Sequence, residues 1–291
     1  MEAELSSQEV WTTLKLLAWT KDYLLSKGVV NARLEAEWLL CAATGLDRVG
    51  LYLQYDKPLI DAELAAYRLL VARRAKREPL QHILGSQEFC GIDYDVSPDV
   101  LIPRYDTEVL ILEALNRSSC AQTVLDIGTG SGCIAVSMQK RLANAVVTAT
   151  DISEAALAVA RRNAVKAGAA VEFLFGALFE PVVGRRFDLI VSNPPYIPTA
   201  DIDMLDQEVR DYDPMIALDG GLDGLDIYRE LIPAAVDYLN PRGWLLVEVG
   251  IGQAKDVTSM FQSAGKFTET IIALDPGGIQ RVVGAQLKEL S

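Results

Sequence analysis

The residues best suited to chemistry are Asn193, Pro194, Pro195 and Tyr196, which directly follow an apolar run at 187–192. That run, FDLIVS, predicts a buried parallel strand. Two consecutive prolines end the strand, because they remove two backbone donors and fix two φ angles. The outcome is a stiff turn at the carboxyl end of a strand, where open α/β sheets bind their ligands. The turn offers an amide, a fixed carbonyl and an aromatic ring to such a ligand.

A glycine-rich loop lies earlier in the chain, between an apolar strand at 123–127 and a predicted helix. Glycine lets the backbone approach a ligand without an intervening Cβ. The G-x-G-x-G spacing differs from the dinucleotide fingerprint, and no Lys-Ser or Lys-Thr follows as in a P-loop. A tight packing turn is the structural alternative. The loop residues that we expect to line a ligand are Gly128, Thr129, Gly130, Ser131 and Gly132.

Asp151 ends the next predicted strand, about twenty residues further on, where a carboxylate binds ribose hydroxyls in doubly wound folds. A turn or N-cap carboxylate is the alternative role for this residue. A ribose-bearing ligand without a cradled pyrophosphate fits both the loop and Asp151. S-adenosylmethionine (SAM) is such a ligand, and its positive sulfonium suits an acidic site. We therefore predict a SAM site.

With SAM beside it, the proline turn is suited to methylating an amide or aromatic amine, whose delocalised lone pair is a poor nucleophile. The Asn193 oxygen and the Pro194 carbonyl can accept both hydrogens of such a nitrogen and align its lone pair with the methyl group. Holding both hydrogens in this way also favours the tetrahedral geometry that the nitrogen adopts in the transition state. Pro195 stiffens the carbonyl, and Tyr196 supplies a flat wall. We predict catalysis by Asn193 and Pro194 without a metal; a rigid turn capped by a core tyrosine is the alternative.

Composition narrows the class of substrate. The chain has 291 residues, half of them hydrophobic, which is enough for one large or two ordinary domains. Its net charge is −13, and nearly all of it falls in residues 91–291, which hold 28 acidic and 16 basic residues. Such a surface repels a phosphate backbone, so nucleic acid is a poor candidate for the substrate.

Cysteine usage and hydropathy indicate the compartment. The four cysteines show no close pairing and His82 is the one histidine, so we expect no zinc site. The sequence has no apolar stretch long enough for a membrane span, and its N-terminus is acidic and polar, unlike a signal peptide. We expect a cytoplasmic protein with reduced thiols and no membrane association.

The first part of the chain has a helical pattern. Apolar residues at helical spacing in 8–27, 31–43 and 61–77 predict a small all-helical domain, placed at 1–78, which we expect to dock the substrate. Residues 73–77 form the densest basic cluster, with Arg73, Arg74, Lys76 and Arg77. We interpret this cluster as a solvated helix end, and a surface that docks an acidic protein partner is the alternative.

The rest of the chain has sequence patterns typical of β-strands and of strands that alternate with helices. Residues 87–97 alternate and turn at Gly91, which predicts a β-hairpin within a linker at 79–103. From residue 104 strands alternate with helices, and the chain ends in an antiparallel hairpin around DPGG. The prediction for 104–291 is an α/β domain with a doubly wound, mostly parallel sheet.

Five segments resemble, in order and spacing, the protein-(glutamine-N5) methyltransferases of bacterial peptide chain release factors. The resemblance covers nearly the whole chain and is weakest over residues 1–78. It implies a class I SAM-dependent methyltransferase that methylates the side-chain amide of the glutamine in the release factor's Gly-Gly-Gln loop. The segments are PLQHILGSQEFCGIDYDVSPDVLIPRYDTEVL (79–110), VLDIGTGSGCIAV (124–136), DISEAALAVARRNA (151–164), IVSNPPYIP (190–198) and EVRDYDPMIALDGGLDGLDIYRELI (208–232).

The resemblance also implies roles for individual residues. The glycine loop 128–132 should line SAM, with Asp151 on the ribose. Asn193 should face both the methyl donor and the glutamine, and residues 194–196 should line the glutamine pocket. Asp126 should brace the glycine loop, and a plain turn carboxylate is its alternative role.

This chain departs from the family pattern at two places. An acidic residue followed by an aromatic one is usual where this chain has Ala177 and Leu178, so the hydrogen bond to the adenine amine is absent or supplied elsewhere. Leu178 and Ile152 can still pack on adenine. Tyr105 stands where the family typically has proline, in a segment whose remaining residues, Arg104, Asp106, Thr107 and Glu108, should begin a helix bordering the active site. N-capping is the simplest role for Asp106.

Three other functions stay open at this point. The same chemistry could act on a glutamine of a ribosomal protein. A DNA or RNA adenine methyltransferase is disfavoured because the chain has no basic recognition domain. A SAM-binding interaction protein that has lost catalysis is disfavoured by the intact Asn193 and prolines.

Overall fold

The computed structural model describes residues 10–289, and the prediction made from the acidic, polar N-terminus falls on residues outside this range. The chain divides into two compact units, the first ending at Leu84 and the second beginning at Gly85. This division falls inside the segment 79–103 that the sequence analysis assigns to a linker. Across the described residues, no helix combines the length and apolar character needed to cross a membrane.

The first unit is helical. Thr12 caps its first helix by accepting a hydrogen bond from the backbone of Lys15, and Gly45 ends its second in the left-handed conformation. Buried apolar side chains from successive helices, including Leu24, Leu39 and Tyr67, form its core. The helices are α1 (Thr13–Ser26), α2 (Ala32–Thr44), α3 (Arg48–Leu53), α4 (Asp61–Arg74) and α5 (Leu80–Leu84).

The basic cluster after α4 is folded into this unit. Arg74 is only 2% exposed and forms an ion pair with Glu35 of α2. Arg73 donates to Glu78 at 2.9 Å, and Arg77 donates to the carbonyl of Gly28. The interpretation of the cluster as a solvated helix end is therefore wrong for Arg74, which helps to join α2 to α4.

We expect Arg74→Ala to lower the free energy of unfolding by about 3 kcal/mol, because it leaves the largely buried Glu35 carboxylate without its partner. Urea denaturation measures this change. Arg68→Ala is the matched control, since Arg68 is exposed on the same helix, and it should shift the free energy by less than about 0.5 kcal/mol. Equal effects of the two substitutions would contradict a structural role for Arg74.

The second unit is a seven-stranded sheet in the order β5-β4-β3-β6-β7-β9-β8, preceded by the separate antiparallel hairpin β1–β2. Strands β3 to β7 are parallel, and β9 runs antiparallel to both β7 and β8. This confirms the predicted architecture, including the C-terminal hairpin. The strands are β1 (Ser86–Phe89), β2 (Ile92–Asp95), β3 (Thr123–Ile127), β4 (Val146–Asp151), β5 (Val171–Phe175), β6 (Phe187–Ser192), β7 (Leu239–Glu248), β8 (Ile271–Leu274) and β9 (Gln280–Gln286).

Helices cover the sheet and bury its apolar strands, which is why those strands read as continuous hydrophobic runs. Two buried clusters form the core of this unit, one containing Ile190 and the other Leu189, which are successive residues of β6. The helices are α6 (Glu108–Arg117), α7 (Cys133–Arg141), α8 (Glu154–Ala167), α9 (Gln207–Arg210), α10 (Asp226–Tyr238) and α11 (Ala254–Ala264).

The strand register brings the carboxyl ends of β3, β6 and β7 next to one another. Ser192 of β6 pairs with Ile127 of β3 on one side and with Val247 of β7 on the other. In the sequence, Gly128 follows Ile127, Asn193 follows Ser192, and Glu248 follows Val247. The glycine loop, the proline turn and the end of β7 therefore lie side by side at the carboxyl edge of the sheet.

Candidate active site

A cavity of about 630 Å³ opens at this edge of the sheet. The loops that follow β3, β4, β5 and β6 form its walls, together with residues preceding α6. The predicted site residues that line it are Gly128, Thr129, Gly130, Ser131, Asp151, Leu178, Asn193, Pro194 and Pro195. The structure thus brings the predicted cofactor loop and the predicted catalytic turn to one cavity.

The glycine loop is shaped by left-handed backbone conformations. Gly128 has a φ of 72° and Gly130 a φ of 55°, and a Cβ built on either residue meets no other atom within 4 Å. Glycine is required there by the conformation, and the space beside both residues is open. A ligand can therefore lie directly against this stretch of backbone.

The Asp151 carboxylate accepts hydrogen bonds from the backbone of the glycine loop and of the segment that follows β4. One carboxylate oxygen accepts a hydrogen bond from Gly130 N at 2.8 Å, and the other accepts from Ser153 N at 2.9 Å. Burial raises the pKa of Asp151, and these backbone N–H groups oppose the shift. Each oxygen keeps lone-pair capacity beyond its one hydrogen bond, so the carboxylate can accept from two neighbouring hydroxyls of a ligand.

Asp126 braces the loop from the core. Its Oδ2 accepts hydrogen bonds from Thr129 Oγ1 at 2.6 Å and from Ala135 N at 3.2 Å. Burial raises the pKa of Asp126 to about 7. The carboxylate thus ties the glycine loop to the first turn of α7.

Two predicted site residues, Gly132 and Tyr196, do not line the cavity. A Cβ on Gly132 would lie 3.0 Å from the Cβ of Ala160 in α8, so this glycine permits close packing. Tyr196 points behind the turn, where its hydroxyl lies 3.5 Å from Glu248 Oε1 and its carbonyl accepts from Gln253 Nε2 at 2.9 Å. Its ring packs against the core under the turn.

Asn193 has a fixed orientation in the cavity wall. Its Nδ2 donates to Thr107 Oγ1 at 3.2 Å, and Thr107 also lines the cavity. Because Thr107 engages the amide nitrogen, the amide oxygen is the atom that this side chain can offer to a ligand. The Pro194 carbonyl belongs to the same turn, so two acceptors can converge on one substrate nitrogen.

Residues 104–108, just before and at the start of α6, have different roles around the cavity. Arg104 and Thr107 line the cavity, whereas Glu108 accepts a hydrogen bond from Cys90 N at 2.8 Å. Asp106 forms an ion pair with Arg281 of β9 at 2.6 Å and does not cap α6. The predicted N-capping role of Asp106 is therefore wrong.

One wall of the cavity consists of residues that were not among the predicted site residues. Residues 214–217 line it, and the preceding Asp213 is buried and accepts from Arg104 Nη2 at 2.7 Å. Burial raises the pKa of Asp213 to about 6, with Arg104 opposing the shift. These residues lie in the segment EVRDYDPMIALDGG, whose match to the family pattern is the signal that could have identified the wall.

The residues predicted to meet adenine form an apolar part of the cavity wall. Ala177, Leu178 and Ile152 all line the cavity, and Leu178 adopts a φ of 44°. The Ala177 N–H donates to Glu180 Oε2 at 3.2 Å. The carboxylate nearest to this position in sequence is therefore Glu180, three residues after the alanine.

Comparison with known proteins identifies the families that the two units match. Residues 15–85 match the family described as the PrmC N-terminal domain, and residues 105–210 match the methyltransferase small domain. A methyltransferase structure from Pyrococcus furiosus superposes with a TM-score of 0.54 at 22% identity, over 75% of this chain and 98% of that chain. The predicted class I methyltransferase fold is confirmed.

Curated relatives are similar over almost their whole length. A release factor glutamine methyltransferase from Geobacter sulfurreducens is 62% identical over 279 residues, which cover 96% of this chain and 98% of the relative. A protein of the same name from Moorella thermoacetica is 43% identical over 91% of this chain and 95% of the relative. This chain therefore belongs to the release factor glutamine methyltransferase family.

Proposed function

We propose that this chain transfers a methyl group from SAM to the side-chain amide nitrogen (N5) of the glutamine in the Gly-Gly-Gln loop of peptide chain release factors. The observation that carries the proposal is the Asn193 amide, whose nitrogen is held by Thr107 and whose oxygen is left for the substrate. It shares one cavity with the glycine loop and Asp151. The names of the curated relatives support a release factor as the partner.

The cavity fits SAM in size and in chemistry. Its volume of about 630 Å³ lies within the range of about 300–1,000 Å³ typical of small-molecule sites. Gly128 and Gly130 leave open space for a ligand, Asp151 can accept from ribose hydroxyls, and Leu178 and Ile152 supply apolar surface for adenine. When bound, SAM supplies an electrophilic methyl group.

The protein's share of the reaction is to orient the substrate amide. Asn193 Oδ1 and the Pro194 carbonyl accept the two N–H groups of the glutamine and direct the nitrogen lone pair into the cavity. Their positions cost no reorganisation during the reaction, because Thr107 holds Asn193 and the prolines hold the carbonyl. The methylated nitrogen is strongly acidic and loses its proton to solvent, so the site needs no dedicated base.

The test is methyl transfer from isotope-labelled SAM to intact release factor, with the modified peptide located by mass spectrometry. We expect the mass of one methyl group on the loop glutamine and none on a release factor in which that glutamine is replaced by alanine. Parallel reactions with ribosomal proteins and with DNA test the other substrate classes. Label on either of these alone, or on no macromolecule, would contradict the proposal.

A further inference from the structure

The cavity has one positively charged side chain, for which the proposed function gives no role. Among residues 10–289, Arg104 is the only lysine, arginine or histidine that lines the cavity, whereas four acids line it. A ligand that suits this lining carries positive charge near the acids and places a negative group at Arg104. The four acids are Asp99, Asp151, Asp219 and Glu230.

A buried acid holds Arg104 in the cavity wall. Arg104 Nη2 donates to Asp213 Oδ2 at 2.7 Å, and the Asp213 side chain is 0% exposed whereas that of Arg104 is 42% exposed. A guanidinium has five N–H groups, and this ion pair uses one of them. Asp213 therefore fixes the position of Arg104 and leaves N–H groups with which Arg104 can bind a second anion.

The order of the strands places Arg104 at the methionine end of SAM. In the proposed function, adenine and ribose meet the loops after β5 and β4, and the methyl group reaches Asn193 after β6. Because β3 lies between β4 and β6, the bound molecule extends across the glycine loop toward β6. Thr107 contacts Asn193 at 3.2 Å, and the Thr107 backbone N–H donates to the Arg104 carbonyl at 3.1 Å. Arg104 thus lies one turn of the chain from the residue that holds Asn193.

The backbone of the glycine loop has little capacity left to bind an anion. Four of its five N–H groups donate to oxygen atoms of the protein, at 2.8–3.0 Å, and the fifth belongs to Ser131. A carboxylate has about four lone-pair sites for hydrogen bonds, so a bound carboxylate needs donors from outside the loop. The four engaged groups are Gly128 N and Thr129 N, which donate to the Thr150 carbonyl, Gly130 N, which donates to Asp151 Oδ2, and Gly132 N, which donates to the Thr129 carbonyl.

We propose that Arg104 binds the α-carboxylate of the methionine portion of SAM, and that Asp213 is a positioning residue that fixes the Arg104 guanidinium for this contact. The carboxylate is the one negative group of SAM, whose sulfonium and α-ammonium groups are positive and suit the acids of the lining. A guanidinium can bind both oxygens of a carboxylate through two parallel N–H groups. This role rests on the proposed function, because that function takes SAM as the methyl donor.

The test compares two ligands that differ only in the carboxylate. Isothermal titration calorimetry without release factor measures the Kd of SAM and the Kd of decarboxylated SAM, which keeps the adenosine, the sulfonium and the amine. In wild type we expect SAM to bind about 10–100-fold more tightly than decarboxylated SAM. In Arg104→Gln the Kd of SAM should rise by about 10–100-fold, whereas the Kd of decarboxylated SAM should not rise.

Further variants separate this contact from folding and from general charge. Arg104→Gln leaves the Asp213 carboxylate buried without its partner, so Arg104→Gln/Asp213→Asn, in which both members of the pair are neutral amides, should show the same selective loss of SAM affinity. Asp213→Asn keeps the Arg104 charge but weakens its anchor, and it should lower the preference for SAM about threefold to tenfold. Arg210→Gln is the matched control and should leave the preference unchanged, because the Arg210 side chain is 38% exposed, pairs with Asp211 at 2.8 Å and does not line the cavity.

The outcomes separate the role of Arg104 from the proposed function. A wild-type preference for SAM in Arg104→Gln would overturn the role of Arg104, because the carboxylate would then be bound elsewhere, for example by Ser131 N. Equal Kd values for the two ligands in wild type would overturn it as well, and a wild-type preference in Asp213→Asn would overturn the positioning role of Asp213. A selective loss of SAM affinity in a protein that methylates no release factor would instead refute the proposed function and leave the role of Arg104 standing.

Discussion

Asn193→Ala is expected to lower kcat for release-factor methylation by about 10²–10³, or about 3–4 kcal/mol of transition-state stabilisation. The substitution removes the acceptor that we propose engages one N–H of the glutamine as its nitrogen becomes tetrahedral. The Pro194 carbonyl remains, so the loss should be large but incomplete. Single-turnover kinetics at saturating SAM measure the effect on the chemical step.

Two controls assign that loss to the amide oxygen. The Kd for SAM should change by less than about threefold, because the glycine loop and Asp151 are untouched. The Tm should also stay close to that of wild type, since Asn193 lies in the cavity wall. Turnover within about threefold of wild type would contradict the proposed grip on the substrate amide.

Asp151→Ala is expected to act chiefly on SAM affinity. The change removes the acceptor that we propose for two ribose hydroxyls, and also the hydrogen bond that Asp151 accepts from Gly130 N. Losing charge-assisted hydrogen bonds of this kind should raise the Kd for SAM about 30–100-fold, a cost of about 2–3 kcal/mol. Isothermal titration calorimetry with SAM measures it directly.

Asp99→Ala is the matched control for this prediction. Asp99 is an exposed carboxylate that lines the same cavity, so its removal tests whether any nearby negative charge would serve. We expect a change in Kd of less than about threefold. Similar losses for the two alanine variants would mean that general charge attraction holds SAM, and that a ribose-binding role for Asp151 is incorrect.

The sequence was informative wherever a pattern repeats along the chain. Apolar runs of strand length at 123–127 and 187–192 are β3 and β6, and the final hairpin is antiparallel as the turn residues indicate. The predicted residues that reach the cavity lie at or just beyond the carboxyl ends of β3, β4, β5 and β6. They were predictable because parallel strands that alternate with helices must present those ends at one edge of the sheet.

Contacts between distant segments were not predictable in the same way. Arg74 reads as part of a solvated helix end, but Glu35 from another helix pairs with it and allows it to be buried.

The same limit explains the two predicted site residues that lie outside the cavity. Gly132 belongs to the glycine loop by sequence, but the approach of Ala160 determines why it is glycine. Tyr196 follows the prolines, yet the turn directs its ring toward the core. A motif gives the type and order of its residues, whereas packing decides which of them face the ligand.

Two acids that lie outside the cavity lining share one physical property. Asp126 and Glu248 are both buried, and burial raises the pKa of each to about 7. Asp126 anchors the glycine loop by accepting from Thr129 Oγ1 and Ala135 N. At Asp126 a costly group thus lies in the core where an acceptor must be rigid, and stability is traded for a preorganised loop.

The most direct test of the central claim is the structure of this chain bound to S-adenosylhomocysteine and a release factor carrying its Gly-Gly-Gln loop. We predict that the glutamine side-chain nitrogen lies within hydrogen-bond distance of both Asn193 Oδ1 and the Pro194 carbonyl oxygen, facing the sulfur of the product. A glutamine nitrogen that contacts neither atom, or an Asn193 side chain turned away from it, would contradict the account.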